Sequence, residues 1–124
     1  MMYNMIMKVF MNGQLLPLEH AKLSIMDRGF LYGDGVFESL RTFARRPLFL
    51  TEHLKRLVSA TRFLKIAAPP LSALRAAVLK TLGANPYKEC YIKVIVTRGT
   101  ASGHGLDPSN TSGKPSLIVT VEEF

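Results

Sequence analysis

Tyr32, Phe37, Arg41 and Arg56 could do chemistry together because they fall in one stretch, residues 27 to 57, that joins a glycine-rich turn, a strand of mixed polarity and a helix. The turn reads Asp27-Arg28-Gly29-Phe30-Leu31-Tyr32-Gly33-Asp34-Gly35, and Arg56 lies in Thr51-Glu52-His53-Leu54-Lys55-Arg56-Leu57. Tyr91 and Lys93, on the polar face of a later strand, complete a signature of aromatics and cations. Such a set suits a small anionic ligand held against aromatic walls. Taken singly, an aromatic in a strand is most often core and a helical arginine most often solvated, so only the grouping speaks for a site.

Other chemistries are disfavoured by spacing. The three histidines, His20, His53 and His104, stand in unrelated contexts without H-x-x-x-H or H-E-x-x-H spacing, which argues against a metal site. Glu38-Ser39-Leu40 lacks the glycines of a nucleophile elbow. The run from Gly29 to Gly35 does not match G-x-G-x-x-G and leads into a strand instead of a helix, so it is no dinucleotide fingerprint.

The elements that must position these residues fit one domain of 124 residues, 48% apolar and 20% charged. The net charge of +7 raises nucleic acid as a partner, but no long basic run or alternation of aromatic and basic residues supports one. Arg41, Arg45, Arg46, Lys55, Arg56, Arg62 and Lys65 are spread among acids and read first as solvated surface. A lone cysteine, Cys90, in an apolar strand fits packing in a reduced compartment. The apolar start, Met1 to Met7, breaks at Lys8 and lacks a small-residue cleavage site, and no run reaches the ~18 apolar residues of a membrane span. These features predict a cytoplasmic protein with no membrane or nucleic-acid partner.

Asn12-Gly13 inside Val9 to Leu16 predicts a hairpin, since both residues accept the positive φ of a two-residue turn. Val36 to Phe43 predicts a strand, with Leu48-Phe49-Leu50 returning as its short partner. Thr51 is placed to cap a helix whose apolar face carries Leu54, Leu57, Val58, Thr61 and Leu64, ending at Pro69-Pro70. A second helix starts near Ser72, buries Leu71, Leu74, Val78 and Leu82, and closes at Gly83. Strand alternation over Glu89 to Thr97 points Cys90, Ile92, Val94 and Val96 to the core. A polar loop from Arg98 to Lys114 precedes a last strand, Ser116 to Glu122. The order predicts an α+β domain, a mainly antiparallel sheet with two helices on one side. Stopping at Phe124, just after a buried strand, reads as a cut at a domain boundary.

The chain resembles the class IV, or fold-type IV, pyridoxal-phosphate enzymes: branched-chain aminotransferases, D-amino-acid aminotransferases and aminodeoxychorismate lyases. The resemblance runs through Asn12-Gly13, Leu23 to Gly29, Tyr32-Gly33-Asp34-Gly35-Val36-Phe37-Glu38, Thr51 to Leu57, Thr97-Arg98-Gly99-Thr100 and Gly105-Leu106-Asp107-Pro108. It implies residues 1 to 124 are the N-terminal small domain of a D-amino-acid-aminotransferase-like fold. It also implies pyridoxal 5'-phosphate as cofactor, a homodimer, and amino acids and 2-oxo acids as substrates. Arg56 matches the arginine that binds the cofactor phosphate, a rigid fork of donors suited to a dianion. Tyr32 and Phe37 match the substrate pocket, Arg41, Tyr91 and Lys93 its surroundings or the partner subunit, and His104 and Gly105 a loop that recognises carboxylate.

Phe37 separates this chain from D-amino-acid aminotransferases, which place tyrosine there. The first expectation is amino transfer between a branched-chain L-amino acid and 2-oxoglutarate, with aminodeoxychorismate lyase, which eliminates pyruvate, as the alternative. Three departures stand out: Ser39 replaces a frequent glycine, Lys93 an arginine, and His104 an Arg-Gly pair of some relatives. The Schiff-base lysine and the carboxylate facing the pyridine nitrogen belong to the family's second domain, so by itself this chain is expected to be inactive.

Overall fold

The computed structural model describes residues 7–124, and the apolar start up to Ile6 lies outside them. β1 (Lys8–Met11) and β2 (Gln14–Pro17) pair antiparallel about Asn12 and Gly13, whose φ angles of 49° and 92° are those the turn requires. A short helix, α1 (Arg28–Tyr32), leads into β3 (Gly35–Phe43), and β4 (Arg46–Pro47) turns back on it. Two helices follow, α2 (Leu50–Phe63) and α3 (Leu71–Gly83), then β5 (Cys90–Thr97) and β6 (Ser116–Glu123).

The six strands form one sheet in the order β2-β1-β6-β5-β3-β4, antiparallel throughout. Strand alternation divides it. Leu40, Cys90, Ile92, Val94, Val96, Val119 and Val121 meet Leu50, Leu54 and Leu57 of α2 and Leu74, Val78 and Leu82 of α3 in the main core. The opposite face carries a smaller cluster of Met7, Val9 and Ile118, meets α1 at Thr97, and among the described residues has neither α2 nor α3 on it, so that most of it is uncovered. This is the expected α+β layering. Cys90 is fully buried, and burial raises its thiol pKa, as suits a packing residue.

Several local expectations are corrected. The partner of β3 is Arg46–Pro47, not Leu48 to Leu50, because Ala44 and Arg45 take positive φ and turn the chain early. Glu89 makes that turn possible: its carboxylate accepts from the Ala44 and Arg45 amides and the Thr42 hydroxyl. Thr51 does not cap α2. Phe49 precedes the helix in the left-handed region, and the Thr51 hydroxyl accepts from Arg75 on α3. α2 ends at Phe63, well before Pro69, and Gly83 is the last residue of α3, with the chain remaining right-handed at Ala84. Nor is Arg45 solvated, since its guanidinium donates to the carbonyls of Leu82, Asn85 and Tyr87 and closes the end of α3.

Candidate active site

β3 organises the site because its two faces and one edge each contribute. Residues 35, 37, 39 and 41 lie on the uncovered face, and residues 36, 38, 40 and 42 face the helices. β5 pairs with β3 from Gly35 to Arg41, whereas β4 pairs only with Thr42 and Phe43. Among the described residues no strand pairs with the outer edge of β3 from Val36 to Leu40.

The uncovered face brings together four of the predicted residues. Phe37 is 60% exposed. Lys93, opposite Ser39 in register, places its Nζ 5.1 Å from the Phe37 ring centroid. Arg41 lies opposite Tyr91 and stacks 4.0 Å from the Phe124 ring centroid. Two exposed rings on one sheet face, Phe37 under an ammonium and Phe124 under a guanidinium, make a surface for an anion with an apolar tail.

Arg56 is not on that face. It projects from α2 on the helix side, and β3 reaches it through Glu38. The buried Glu38 carboxylate accepts from Arg56 Nε at 2.9 Å and Nη2 at 2.8 Å, and pairs with His53 Nδ1 at 2.7 Å. The Arg56 side chain is nonetheless 71% exposed, at a shallow hollow of about 250 Å³ lined by Glu52, His53 and Arg56. Its Nη1 has no partner among the described residues. One side of the fork is thus fixed and the other is open.

Tyr32 ends α1, with the Arg28 guanidinium 5.0 Å from its ring centroid. Asp27 caps this helix at the Gly29 amide, 2.7 Å away, and its other oxygen accepts from Thr97 and Ser116. Thr97 is therefore buried, although it alternates with Tyr91 and Lys93 along β5. His104 and Gly105 sit in the loop after β5, where the His104 carbonyl accepts from Asn110 and Gly105 has a φ of 92°. The structure joins Tyr32 to this loop, and separately joins Phe37, Arg41, Tyr91 and Lys93.

Glu38, His53, Arg28 and Asp34 were missed as site residues. Glu38 had a readable signal: strict alternation from Leu40 puts it on the core face, where an acid calls for a cation, and positions 53 and 56 of α2 share one helix face. Asp34 has one partner nearby, Arg28, and one far along the chain, Arg98, and the distant one left no local trace.

Both carboxylates titrate low. Burial works to raise the Glu38 pKa, but hydrogen bonds from Arg56 and His53 outweigh it and hold it below the usual 4.5. Burial likewise opposes, and hydrogen bonds from Arg98 and Arg28 overcome it, to hold Asp34 below 3.8. A carboxyl depressed in the folded state stabilises the fold above its unfolded pKa and loses that contribution as pH falls through the folded value. Urea unfolding should therefore show stability level above about pH 5 and falling below about pH 4, with a shallower fall in Glu38→Gln. An unchanged acid slope in that variant would refute the linkage.

Residues 35–124 match the family model described as amino-transferase class IV. A Methanocaldococcus jannaschii protein provisionally named a branched-chain-amino-acid aminotransferase is 39% identical over 113 residues, covering 90% of this chain and 38% of that protein. The D-alanine aminotransferase of Staphylococcus haemolyticus is 33% identical, over 94% of this chain and 42% of that protein. Among solved structures, a T.th. branched-chain amino acid aminotransferase, known with 4-methylvaleric acid and with N-(5'-phosphopyridoxyl)-L-glutamate, has a TM-score of 0.84 at 29% identity, covering 94% of this chain and 40% of that one. The fold is thus one shared with part of this aminotransferase. The chain belongs to the class IV aminotransferase family and spans about two fifths of the length of these relatives.

Proposed function

We propose that this chain is the small domain of a pyridoxal-phosphate aminotransferase that moves an amino group between a branched-chain L-amino acid and 2-oxoglutarate. The observation that carries the reading is the Arg56 guanidinium, fixed on one side by Glu38 and free at Nη1 over an open hollow. That donor set fits the phosphate end of the cofactor: a pre-oriented fork binds a dianion without first ordering the side chain. Two carboxylates oppose an anion there, Glu52 in the first turn of α2 and Glu38 behind Arg56.

When bound, the cofactor supplies the electron sink that lets an amino acid lose its α-proton. In this reading Arg56 holds the phosphate and Glu38 orients Arg56. Phe37, with Ile95 opposite in register, offers an apolar wall to a branched side chain, and Lys93 and Arg41 offer charge to a carboxylate. The Schiff-base lysine belongs to a second domain, and exposed Ile25, Met26 and Phe30 around α1 suit a homodimer contact. A cytoplasmic setting accords with the reading. Among the described residues no helix is long and apolar enough to cross a membrane.

The 33% identity to a D-alanine aminotransferase supports a second reading, amino transfer from a D-amino acid. Incubating the full-length protein and 2-oxoglutarate with L-leucine or D-alanine, and following glutamate, separates them. Glutamate from L-leucine is expected. Transfer from D-alanine alone would establish the second reading, and pyruvate release from 4-amino-4-deoxychorismate without transfer would establish a lyase.

A further inference from the structure

Arg28 is 2% exposed, yet its guanidinium makes no contact with either the Phe37 face or Arg56. Its Nη2 donates to the Leu106 carbonyl at 2.8 Å, and Nη1 is shared between the carbonyls of Gly105 and Asn110, both at 3.3 Å. Nε donates to Asp34 Oδ2 at 2.8 Å, and the cation lies over the Tyr32 ring. Every one of these partners belongs to α1, its exit turn, or the loop after β5. The same Asp34 oxygen accepts from Arg98 Nε at 2.8 Å, and Arg98 donates onward to the Leu64 and Lys65 carbonyls at the end of α2.

We propose that Arg28 is a positioning residue for substrate selection: it fixes the distance between Tyr32 and the loop from His104 to Asn110, with Asp34 as its anchor. The inference rests on the proposed aminotransferase function together with the family resemblance, which implies that Tyr32 and the loop of His104 and Gly105 border the substrate. A buried guanidinium must satisfy its donors, and here the acceptors are loop carbonyls, so the loop closes onto Arg28 instead of floating on the surface. The planar fork matters as much as the charge, since an ammonium cannot reach Asp34, Leu106 and Gly105 in one plane. Leu106 is 70% exposed although its carbonyl is bound. Arg28 therefore holds the backbone of the loop while an apolar side chain is presented outward. Asn110 braces the loop from within, its Nδ2 donating to the His104 carbonyl at 2.6 Å.

The test uses the full-length protein, with Arg28→Lys and the milder Asn110→Ala as variants and two readouts. In hydrogen exchange, amides of residues 104–110 should exchange about tenfold faster in both variants, while amides of α2 and β5 hold. In kinetics, the KM for L-leucine should rise and the preference for L-leucine over L-alanine should shift by about tenfold, with pyridoxal-phosphate affinity within about twofold. Should Arg28→Lys not fold, Asp34→Asn, which weakens the anchor of Arg28 Nε and leaves the bonds within the loop in place, carries both readouts. Unaltered loop exchange, or an equal loss with both donors, would overturn the inference. Absence of any amino transfer by the unmodified protein would overturn the functional reading instead, while exchange still decides whether Arg28 holds the loop.

Discussion

Replacing Arg56 with alanine in the full-length protein should weaken pyridoxal-phosphate binding by about 10- to 100-fold, read as the cofactor concentration needed to saturate its absorbance change. The magnitude follows from losing charge-assisted hydrogen bonds, each contributing about 1.5–3 kcal/mol, where about 1.4 kcal/mol is tenfold. The exposed side chain leaves no cavity when removed, but the buried Glu38 carboxylate loses its main donor, so the thermal midpoint without cofactor should also fall, and affinities are compared at a temperature where both proteins are folded. Glu38→Gln should cost affinity as well, about threefold to tenfold, through the looser hold on Nε and Nη2. Arg56→Lys should fall between, since a lysine keeps the charge and loses the fork. Cofactor affinity that is unchanged in Arg56→Ala would remove the basis of the phosphate assignment.

Gly99→Ala should lower stability by about 2–6 kcal/mol, a strained backbone and an overpacked contact each contributing roughly 1–3 kcal/mol. Gly99 has a φ of 98°, and a Cβ there would run into the Lys114 carbonyl, a backbone atom that cannot swing aside. The Gly99 carbonyl also receives the Arg28 amide at 2.8 Å, so displacement pulls on α1. Thermal unfolding monitored by circular dichroism should show a midpoint lower by roughly 10 °C or more. Gly83→Ala is the matched control: nothing lies within 4 Å of its Cβ position and the residue is helical, so stability should rise by about 0.5–1 kcal/mol. Equal midpoints for the two variants would show that the Gly99 contact is not rigid.

What could be read from the sequence was what short-range physics dictates. The Asn12-Gly13 hairpin and the buried series Cys90, Ile92, Val94 and Val96 depend on turn chemistry and strand alternation, and the structure has both. α1 escaped because five residues are too few for helical periodicity to register. β4 and the start of α2 were misplaced because Glu89, far along the chain, fixes the Ala44-Arg45 turn and Phe49 takes a left-handed conformation unusual for an aromatic. Family motifs singled out Arg56, Phe37 and Tyr32 as candidates without saying how they are held. Of the supports, Glu38 behind Arg56 joins a strand to a helix 18 residues further on, and Arg28 behind Tyr32 lies within α1 itself, too short a helix for the pair to be recognised.

The unpaired rim of β3 has a consequence for how such a domain stays out of trouble in solution. Extended backbone from Val36 to Leu40, with no strand among the described residues on its outer side, is a template onto which a stray strand can zip. On one side of that rim stands the Glu38–Arg56 ion pair and on the other the Lys93 ammonium beside Phe37. An intruding apolar strand would have to desolvate fixed charges on both sides before its first hydrogen bond formed. The groups read here as ligand-binding therefore serve also as gatekeepers against aggregation, so neutralising them should make the protein stickier as well as less able to bind.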